Sequence, residues 1–363
     1  MTTPKKKIRV AVLFGGKSAE HEVSIQSAKN VVHSLDKEKY EPVLIGIDKE
    51  GVWHQLKENY LLDSSFSHQK SLNHDSEISL VVKGGNSMMI SSGAAQLQNI
   101  DVVFPVLHGT FGEDGTVQGA LQLMNIPYVG AGVLGSAVGM DKDVTKRLLH
   151  EAGLPIAKFL VFRKDEEIDF AAVKKKLGLP FFVKATNLGS SVAVNKVHKV
   201  EEFLPALKEA FLYSTKVIIE ENIIGREIEI SVLGNEDLIV SVPGEVITSH
   251  EFYDYDAKYL DEKAAQLEIP AKMSEEKVKE LQKLAKKVFQ TLCLEGMARI
   301  DFFFAKDGTF YTNEANTIPG FTNISMYPKM WEASGISYTE LVDRLIQLAI
   351  DRYNREETLR TSL

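Results

Sequence analysis

A single cysteine, Cys293, among 363 residues excludes an internal disulfide and fits a reducing compartment such as the cytoplasm. It stands on the apolar stripe of a helical pattern, so inert core packing is its expected role. Apolar runs long enough to cross a bilayer or to form a secretory h-region are also missing. Lys5-Lys6-Lys7 precedes an apolar stretch, but Arg9 interrupts that stretch and Gly15-Gly16-Lys17 ends it, so no membrane partner is expected. Excess positive charge is absent too: the net charge of −8 gives no attraction for a nucleic-acid backbone, which argues against a nucleic-acid partner. G-x-x-x-x-G-K-[ST] does not occur and GGKSAE at the start is not G-x-G-x-x-G, so the Walker loop is absent and the first glycine turn lacks the dinucleotide fingerprint; no Cys/His spacing suits zinc. What is present, 44% hydrophobic and 25% charged residues, describes an ordinary globular chain with room for two or three domains.

The opening IRVAVLFGG is an apolar run ending in paired glycines and followed by a helical pattern, which is how an open parallel α/β sheet begins. Further strands are expected at 43–48 (VLIGID) and 101–107 (DVVFPVL). Between them, residues 58–99 are rich in Ser, Asn and His and read as an insertion or small hairpin. A small-residue stretch at 131–139 suits a crossover. A helix is expected from about residue 140, with Lys142 and Lys146 one turn apart, ending at Gly153-Leu154-Pro155. FFVKA, SVAVNKV, a helix near 200–213 and KVIIEE form a compact α+β unit. EIEISVLGN and DLIVSVPGEV form an antiparallel pair. The helix EEKVKELQKLAKKVFQTLCL carries Val278, Leu281, Leu284, Ala285, Val288, Phe289 and Leu292 on one stripe, and a last helix spans 339–351.

Chemistry is densest where MARIDFFF precedes a turn and TFYTNEAN. Alternation puts Arg299, Asp301 and Phe303 on one face of the first strand, and Glu314 and Asn316 on one face of the second. Two carboxylates and an amide are hard oxygen donors of the kind Mg²⁺ accepts alongside water and phosphate. A surface ion pair between Arg299 and Asp301 is the alternative. The segment Lys184-Ala185-Thr186-Asn187-Leu188-Gly189-Ser190-Ser191-Val192 could aim backbone N–H groups and hydroxyls at phosphate, or be a plain hairpin turn. Glu220-Glu221, ending an apolar strand, could accept from adenine or ribose, or simply be solvated.

GGKSAEHEVS, LHGTFGEDGTVQG, MDKDVTKRLL, VKATNLGSSV, FYDYDAKY, MARIDFF and NEANTIPGFT occur in one order that covers nearly the whole chain. Together they resemble the D-alanine–D-alanine ligases of the ATP-grasp superfamily. The resemblance implies an α/β (in part α+β) chain of three domains. These are a Rossmann-like unit at 1–130, a small ATP-grasp unit at 131–221 and a metal-bearing unit at 222–363. It implies Lys142 and Lys184 on ATP phosphates, Glu220, Glu221 and Glu227 on adenine and ribose, and Asp301, Glu314 and Asn316 on two Mg²⁺ ions, with Mn²⁺ as a substitute. Glu20 would hold the ammonium of a first D-alanine and His108 would lie beside its carboxylate, although a strand-end structural histidine is the reading without the resemblance. Arg299 and the Gly320 N–H would form an oxyanion site, and Ser325 would bind the second D-alanine's carboxylate. Tyr259 and Ser190 would link to Glu20 when the loop FYDYDAKY closes.

The implied activity is ATP-dependent D-alanyl-D-alanine synthesis through an acyl phosphate, for peptidoglycan precursors, in a cytoplasmic homodimer. A D-alanine–D-lactate ligase and a noncatalytic nucleotide sensor are the alternatives. The chain departs from the family pattern at Ala185, where Pro is common, and at Ala193, where Gly is common. Both flank the phosphate segment and remove no ligand.

Overall fold

The computed structural model describes residues 6–57, 59–62, 77–83, 86–91, 94–190, 192–248 and 265–360. Tyr259 and the loop FYDYDAKY lie outside the described residues. From the N-terminus come β1 (Ile8–Gly15), α1 (His21–Ser34), β2 (Tyr40–Ile47), β3 (Trp53–Leu56), α2 (Asn59–Leu62), β4 (Ile78–Lys83), β5 (Asn86–Ser91), β6 (Ala94–Asn99), β7 (Val102–Pro105) and α3 (Thr116–Leu123). Then follow α4 (Val133–Met140), α5 (Lys142–Glu151), β8 (Phe159–Arg163), α6 (Phe170–Leu177), β9 (Phe181–Ala185), β10 (Val194–Val197), α7 (Val200–Tyr213) and β11 (Lys216–Glu221). The chain continues through β12 (Gly225–Gly234), β13 (Ile239–Val240), β14 (Gly244–Thr248), β15 (Ala265–Glu268), α8 (Glu275–Thr291), β16 (Gly296–Ala305), β17 (Phe310–Asn316), α9 (Met326–Ala333) and α10 (Tyr338–Glu357).

The first sheet has the order β3-β2-β1-β7, with β2 and β7 parallel to β1, as the glycine-terminated opening run implied. β1 is apolar from Val10 onward because both of its faces are covered: Val10, Val12 and Phe14 pack with α1 and α10, and Ala11 and Leu13 with Val117 and Leu121 of α3. The chain leaves β1 on one side toward β2 and returns on the other to β7. The carboxyl ends of β1 and β7 therefore open the crevice where α/β sheets bind ligands. Where an insertion or hairpin was expected, β4, β5 and β6 form a three-stranded antiparallel sheet.

The second sheet, β10-β9-β11-β8, is antiparallel, and α6 and α7 cover its apolar side. The third, β15-β14-β12-β16-β17 with β13 on β12, buries Ile228, Ile230, Ile300 and Phe302 under α8. Ser274 caps α8 by accepting from Lys277 N–H, and Glu275 and Glu276 complement its positive end. Ala131, Val138, Leu149 and Leu154, from the stretch assigned to the middle unit, also pack into this third core.

Cys293 is a correction. The helix ends at Thr291, Leu292 and Leu294 turn into the core, and Cys293 between them takes φ +54°, which throws its side chain out to solvent. The apolar stripe was read two residues too far. A further helix, α9, escaped the sequence reading; it carries Tyr327 and Trp331 into the core shared by the first sheet and α10.

Arg352 of α10 fastens these parts. Its buried guanidinium donates to the carbonyls of Gly130 (2.5 Å) and Tyr128 (2.8 Å) and lies over the Tyr128 ring at 4.4 Å, so the final helix grips the crossover leaving the first sheet. Arg352→Ala strands two carbonyls and should destabilise the protein by about 3 kcal/mol in urea unfolding. Arg352→Lys should recover little, because an ammonium cannot fork to both acceptors. A loss below roughly 0.5 kcal/mol for the alanine variant would remove the clamp from the account.

Candidate active site

β16 and β17 set the centre. Their antiparallel register places Asp301 opposite Glu314 and Arg299 opposite Asn316, with a bulge after Asp301 that ends regular pairing beside these side chains. Arg299 makes a fork to Asp301, with Nε to Oδ1 and Nη2 to Oδ2 both at 2.8 Å, and its Nε lies 2.9 Å from Glu229 Oε2 on β12. Asn316 Nδ2 donates to Asp301 Oδ2 at 3.0 Å. The expected convergence is present, and Arg299 and Asp301 do form an ion pair, but Asp301 is buried, so it is not the surface pair of the alternative. Burial alone would lower the Arg299 guanidinium, but Asp301 and Glu229 outweigh it and hold it well above its ordinary value. Among the described residues no three His, Cys, Asp or Glu side chains cage a metal by themselves. Asp301, Glu314 and Asn316 nonetheless suit a hard cation that draws its remaining oxygens from phosphate and water.

A cleft of about 410 Å³ runs between the second and third sheets, lined by Lys142, Lys184, Ser190, Glu221, Glu227 and Glu314 among others. Asp141 caps α5 by accepting from Asp143 and Val144 N–H, which starts the helix at Lys142. Lys142 Nζ donates to Leu188 O of the phosphate segment at 2.7 Å and lies 3.5 Å from Glu314 Oε2, so it spans the cleft.

Glu220 sits between two ammoniums: Lys184 is 2.6 Å from Oε2, and Lys146, one turn along α5 from Lys142, is 2.6 Å from Oε1. Burial alone would raise this carboxyl, and the two lysines outweigh it, pulling it down to about 2. Burial would likewise lower Lys184, but Glu220 carries it above its ordinary value. Lys146, buried at 1% exposure, was noted in the sequence without a role; its i, i+4 spacing from Lys142 was the available signal. Glu221 turns back to the sheet, accepting from Lys158 N–H at 2.7 Å.

The GGKS turn after β1 and the HGT turn after β7 close the other end. Ser18 donates to His108 O (2.7 Å) and accepts from Glu20 N–H (3.2 Å), tying the turns together. Glu20 is buried, and its Oε2 lies 2.8 Å from where a Cβ on Gly109 would stand and 3.9 Å from one on Gly189, so glycine at 109 leaves the carboxylate its room. Gly320 is similarly confined, because a Cβ there would meet Ser325 Oγ at 2.7 Å. Ser325 Oγ accepts from Thr322 N–H at 3.0 Å. His108 is buried, with Nδ1 2.9 Å from Ile318 O and Nε2 3.2 Å from Ser27 Oγ, so the structural role available from sequence is occupied. Glu113, overlooked within LHGTFGEDG, accepts from Gly109 N–H at 2.7 Å and Ile318 N–H at 3.1 Å.

Residues 9–131 match the family described as D-ala D-ala ligase N-terminus, and residues 148–347 match D-ala D-ala ligase C-terminus. The chain belongs to the D-ala D-ala ligase family. It is 50% identical to the D-alanine–D-alanine ligase of Oceanobacillus iheyensis over 361 residues, covering 98% of this chain and 99% of that one. Among solved structures it resembles the D-alanine–D-alanine ligase of Coxiella burnetii, with TM-score 0.87, 40% identity and coverage of 98% and 97% of the two chains. It also resembles the VanG D-Ala:D-Ser ligase of Enterococcus faecalis, with TM-score 0.83, 35% identity and coverage of 95% and 100%. The ATP-grasp architecture expected from the motifs is the architecture of this family.

Two measurements follow. Glu220, depressed to about 2, contributes stability that is complete above the unfolded value of 4.5 and is lost as pH falls toward 2. The wild type should therefore exceed Glu220→Gln by on the order of 3 kcal/mol at neutral pH, a gap that closes on acidification. A pH-independent gap would show that the carboxylate is not the cause. Ala193, at φ +54°, occupies the left-handed region where the family pattern has glycine. Ala193→Gly should gain about 0.5 kcal/mol, relief of strain exceeding the added unfolded-state entropy, and a less stable variant would contradict this.

Proposed function

We propose that the chain joins two D-alanines to D-alanyl-D-alanine with consumption of ATP, supplying a peptidoglycan precursor. The observation carrying this reading is Lys142, which reaches from the phosphate segment at Leu188 to within 3.5 Å of Glu314. A cation bridging a phosphate cradle and an oxygen-donor cluster is what a transferring phosphoryl group requires.

In this reading Lys142 and Lys184 hold ATP phosphates, and Glu220, Glu221 and Glu227 serve the nucleoside side. Glu220 acts chiefly by fixing Lys184 and Lys146. Asp301, Glu314 and Asn316 would hold Mg²⁺, two ions with Mn²⁺ as a substitute, and the bound metal supplies charge neutralisation at the triphosphate. Glu20 takes the ammonium of the first D-alanine, and His108 lies in the turn lining that pocket. A carboxylate oxygen of the first D-alanine accepts the γ-phosphoryl group, releasing ADP and leaving an acyl phosphate. The amine of the second D-alanine, whose carboxylate Ser325 would receive, attacks the acyl carbon and loses its proton. Phosphate departs as the carbonyl reforms. Arg299 and the Gly320 N–H stabilise the intervening oxyanion, and a preset donor of this kind is worth on the order of 3 kcal/mol. The resemblance would add Ser190 and Tyr259 as a link to Glu20, Tyr259 lying outside the described residues.

The division at 1–130, 131–221 and 222–363 belongs to this proposal, with the start of the second unit packed on the third core. So do the cytoplasmic location and the homodimer, which rest on the resemblance; no helix among the described residues is long and apolar enough to cross a membrane.

The test is ADP, phosphate and product analysis with ATP and D-alanine, with L-alanine, D-lactate and D-serine as alternatives. One dipeptide should form per ADP, and a mostly depsipeptide product from equal D-alanine and D-lactate would install the lactate-using reading. Glu20→Gln deletes a charge facing an ammonium. It should raise KM for the first D-alanine by roughly 10- to 100-fold with KM for ATP little changed; equal losses for both would make Glu20 structural.

A further inference from the structure

The segment carrying Gly320 is held by side chains of α1, of the turn after β7 and of α10. Ile318 is held at both backbone groups, its N–H by Glu113 Oε1 (3.1 Å) and its carbonyl by His108 Nδ1 (2.9 Å). Phe321 is held in the same way: its N–H donates to Ser27 Oγ (3.1 Å), and its carbonyl accepts from Asn30 Nδ2 (2.9 Å) and Tyr338 OH (2.6 Å). The proton directions follow from the partners. A carbonyl only accepts, so His108 Nδ1 bears hydrogen. Ser27 Oγ, already accepting from Phe321, gives its own hydrogen to Nε2 (3.2 Å). Burial lowers the His108 imidazole, in keeping with a neutral ring that donates at one nitrogen and accepts at the other.

Glu113 closes the network from the opposite side. One oxygen accepts from Gly109 N–H in the HGT turn and the other from Ile318 N–H, so one carboxylate joins two loops separated by more than two hundred residues. We propose that Glu113 and Ser27 are positioning residues that hold the 318–321 segment so that the Gly320 N–H is preset for the tetrahedral oxyanion. The proposal rests on the reading of Gly320 given above and adds to it the groups that aim the donor.

Ionisation supplies a readout that a purely structural residue would lack. The charged groups acting on Glu113 are Glu20 ahead of α1 and Arg299 on β16, while the neutral His108 in the turn after β7 meets the carbonyl of the same Ile318. Burial and then the Glu20 carboxylate push Glu113 up to about 8, against the two N–H donors and Arg299. Only the ionised form presents two full acceptors without competing for a proton. The brace therefore tightens as pH rises through that value.

The experiment compares wild type, Glu113→Gln and Ser27→Ala, each checked for folding by circular dichroism and for ATP binding by calorimetry. Dipeptide kcat should fall roughly 10- to 100-fold in both variants, less than or comparable to loss of a whole oxyanion donor. The Kd for ATP should stay within about twofold, as should the D-alanine-dependent isotopic scrambling of the ATP β,γ-bridging oxygen, which reads phosphoryl transfer alone. The wild-type to Glu113→Gln ratio of kcat/KM should climb by up to about tenfold from pH 7 to 9, the substrate amine's own titration cancelling in the ratio. Wild-type kcat in both variants, or equal losses in scrambling and dipeptide formation, would overturn the proposal. So would a pH-independent ratio for Glu113. Should one variant fail to fold, the other decides. A wild type that neither scrambles ATP nor forms dipeptide would instead sink the reading of function on which the proposal stands.

Discussion

Every charge withdrawn from water in this cleft has to be met by an opposite charge or a directed hydrogen bond, and that requirement organises the site. Glu220 is met by Lys146 and Lys184, Asp301 by Arg299 and Asn316, and Glu314 by Lys142; Glu113, whose ionisation burial disfavours, is met by two backbone N–H groups. Without substrates the site is closed on itself electrostatically. In the proposed function a triphosphate and metal entering it would exchange partners with residues already charged and already oriented, leaving little reorganisation for the moment of reaction.

The same requirement separates residues that can let go from residues that cannot. Lys142 contacts Glu314 at 3.5 Å with both side chains partly exposed, a loose pair that a phosphate oxygen can replace. Lys146 and Glu220 are 2.6 Å apart and almost fully buried, so that pair stays closed and serves as the fixed footing for Lys184. Glu220 was assigned from resemblance to the nucleoside; its geometry makes its first task holding a lysine.

Period and punctuation made most of the architecture legible. IRVAVLFGG identified the opening strand, the alternation in MARIDFFF put Arg299 and Asp301 on one face, and the 3.6-residue stripe of α8 located its buried side. The readings that failed or were missed depend on partners distant in sequence or on a single backbone angle. Cys293 belongs to the stripe by spacing and leaves it by φ alone. Ser27 meets Phe321 across 294 positions, and Glu113 meets Ile318 across 205. No local pattern encodes such a meeting. Ala193 was visible as a departure from a family motif, and its meaning as a left-handed position appeared only with the backbone.

Those long-range meetings also explain why α10 and α9 pack against the first sheet. Phe321 lies edge-on to Phe104 at 5.9 Å, within one core that also takes Tyr327, Trp331, Leu341 and Leu345. The 318–321 segment, which carries an oxyanion donor in the proposed function, is therefore anchored to the unit that holds Glu20, while Asp301 and Glu314 stand on the third sheet. In the proposed reaction the first D-alanine at Glu20 and the Gly320 N–H would share one anchorage, while Arg299, the second oxyanion donor, stands with Asp301 on β16 of the third sheet. The oxyanion would thus be met from two anchorages at once, which fixes the acyl carbon where the turns of the first sheet meet the third sheet.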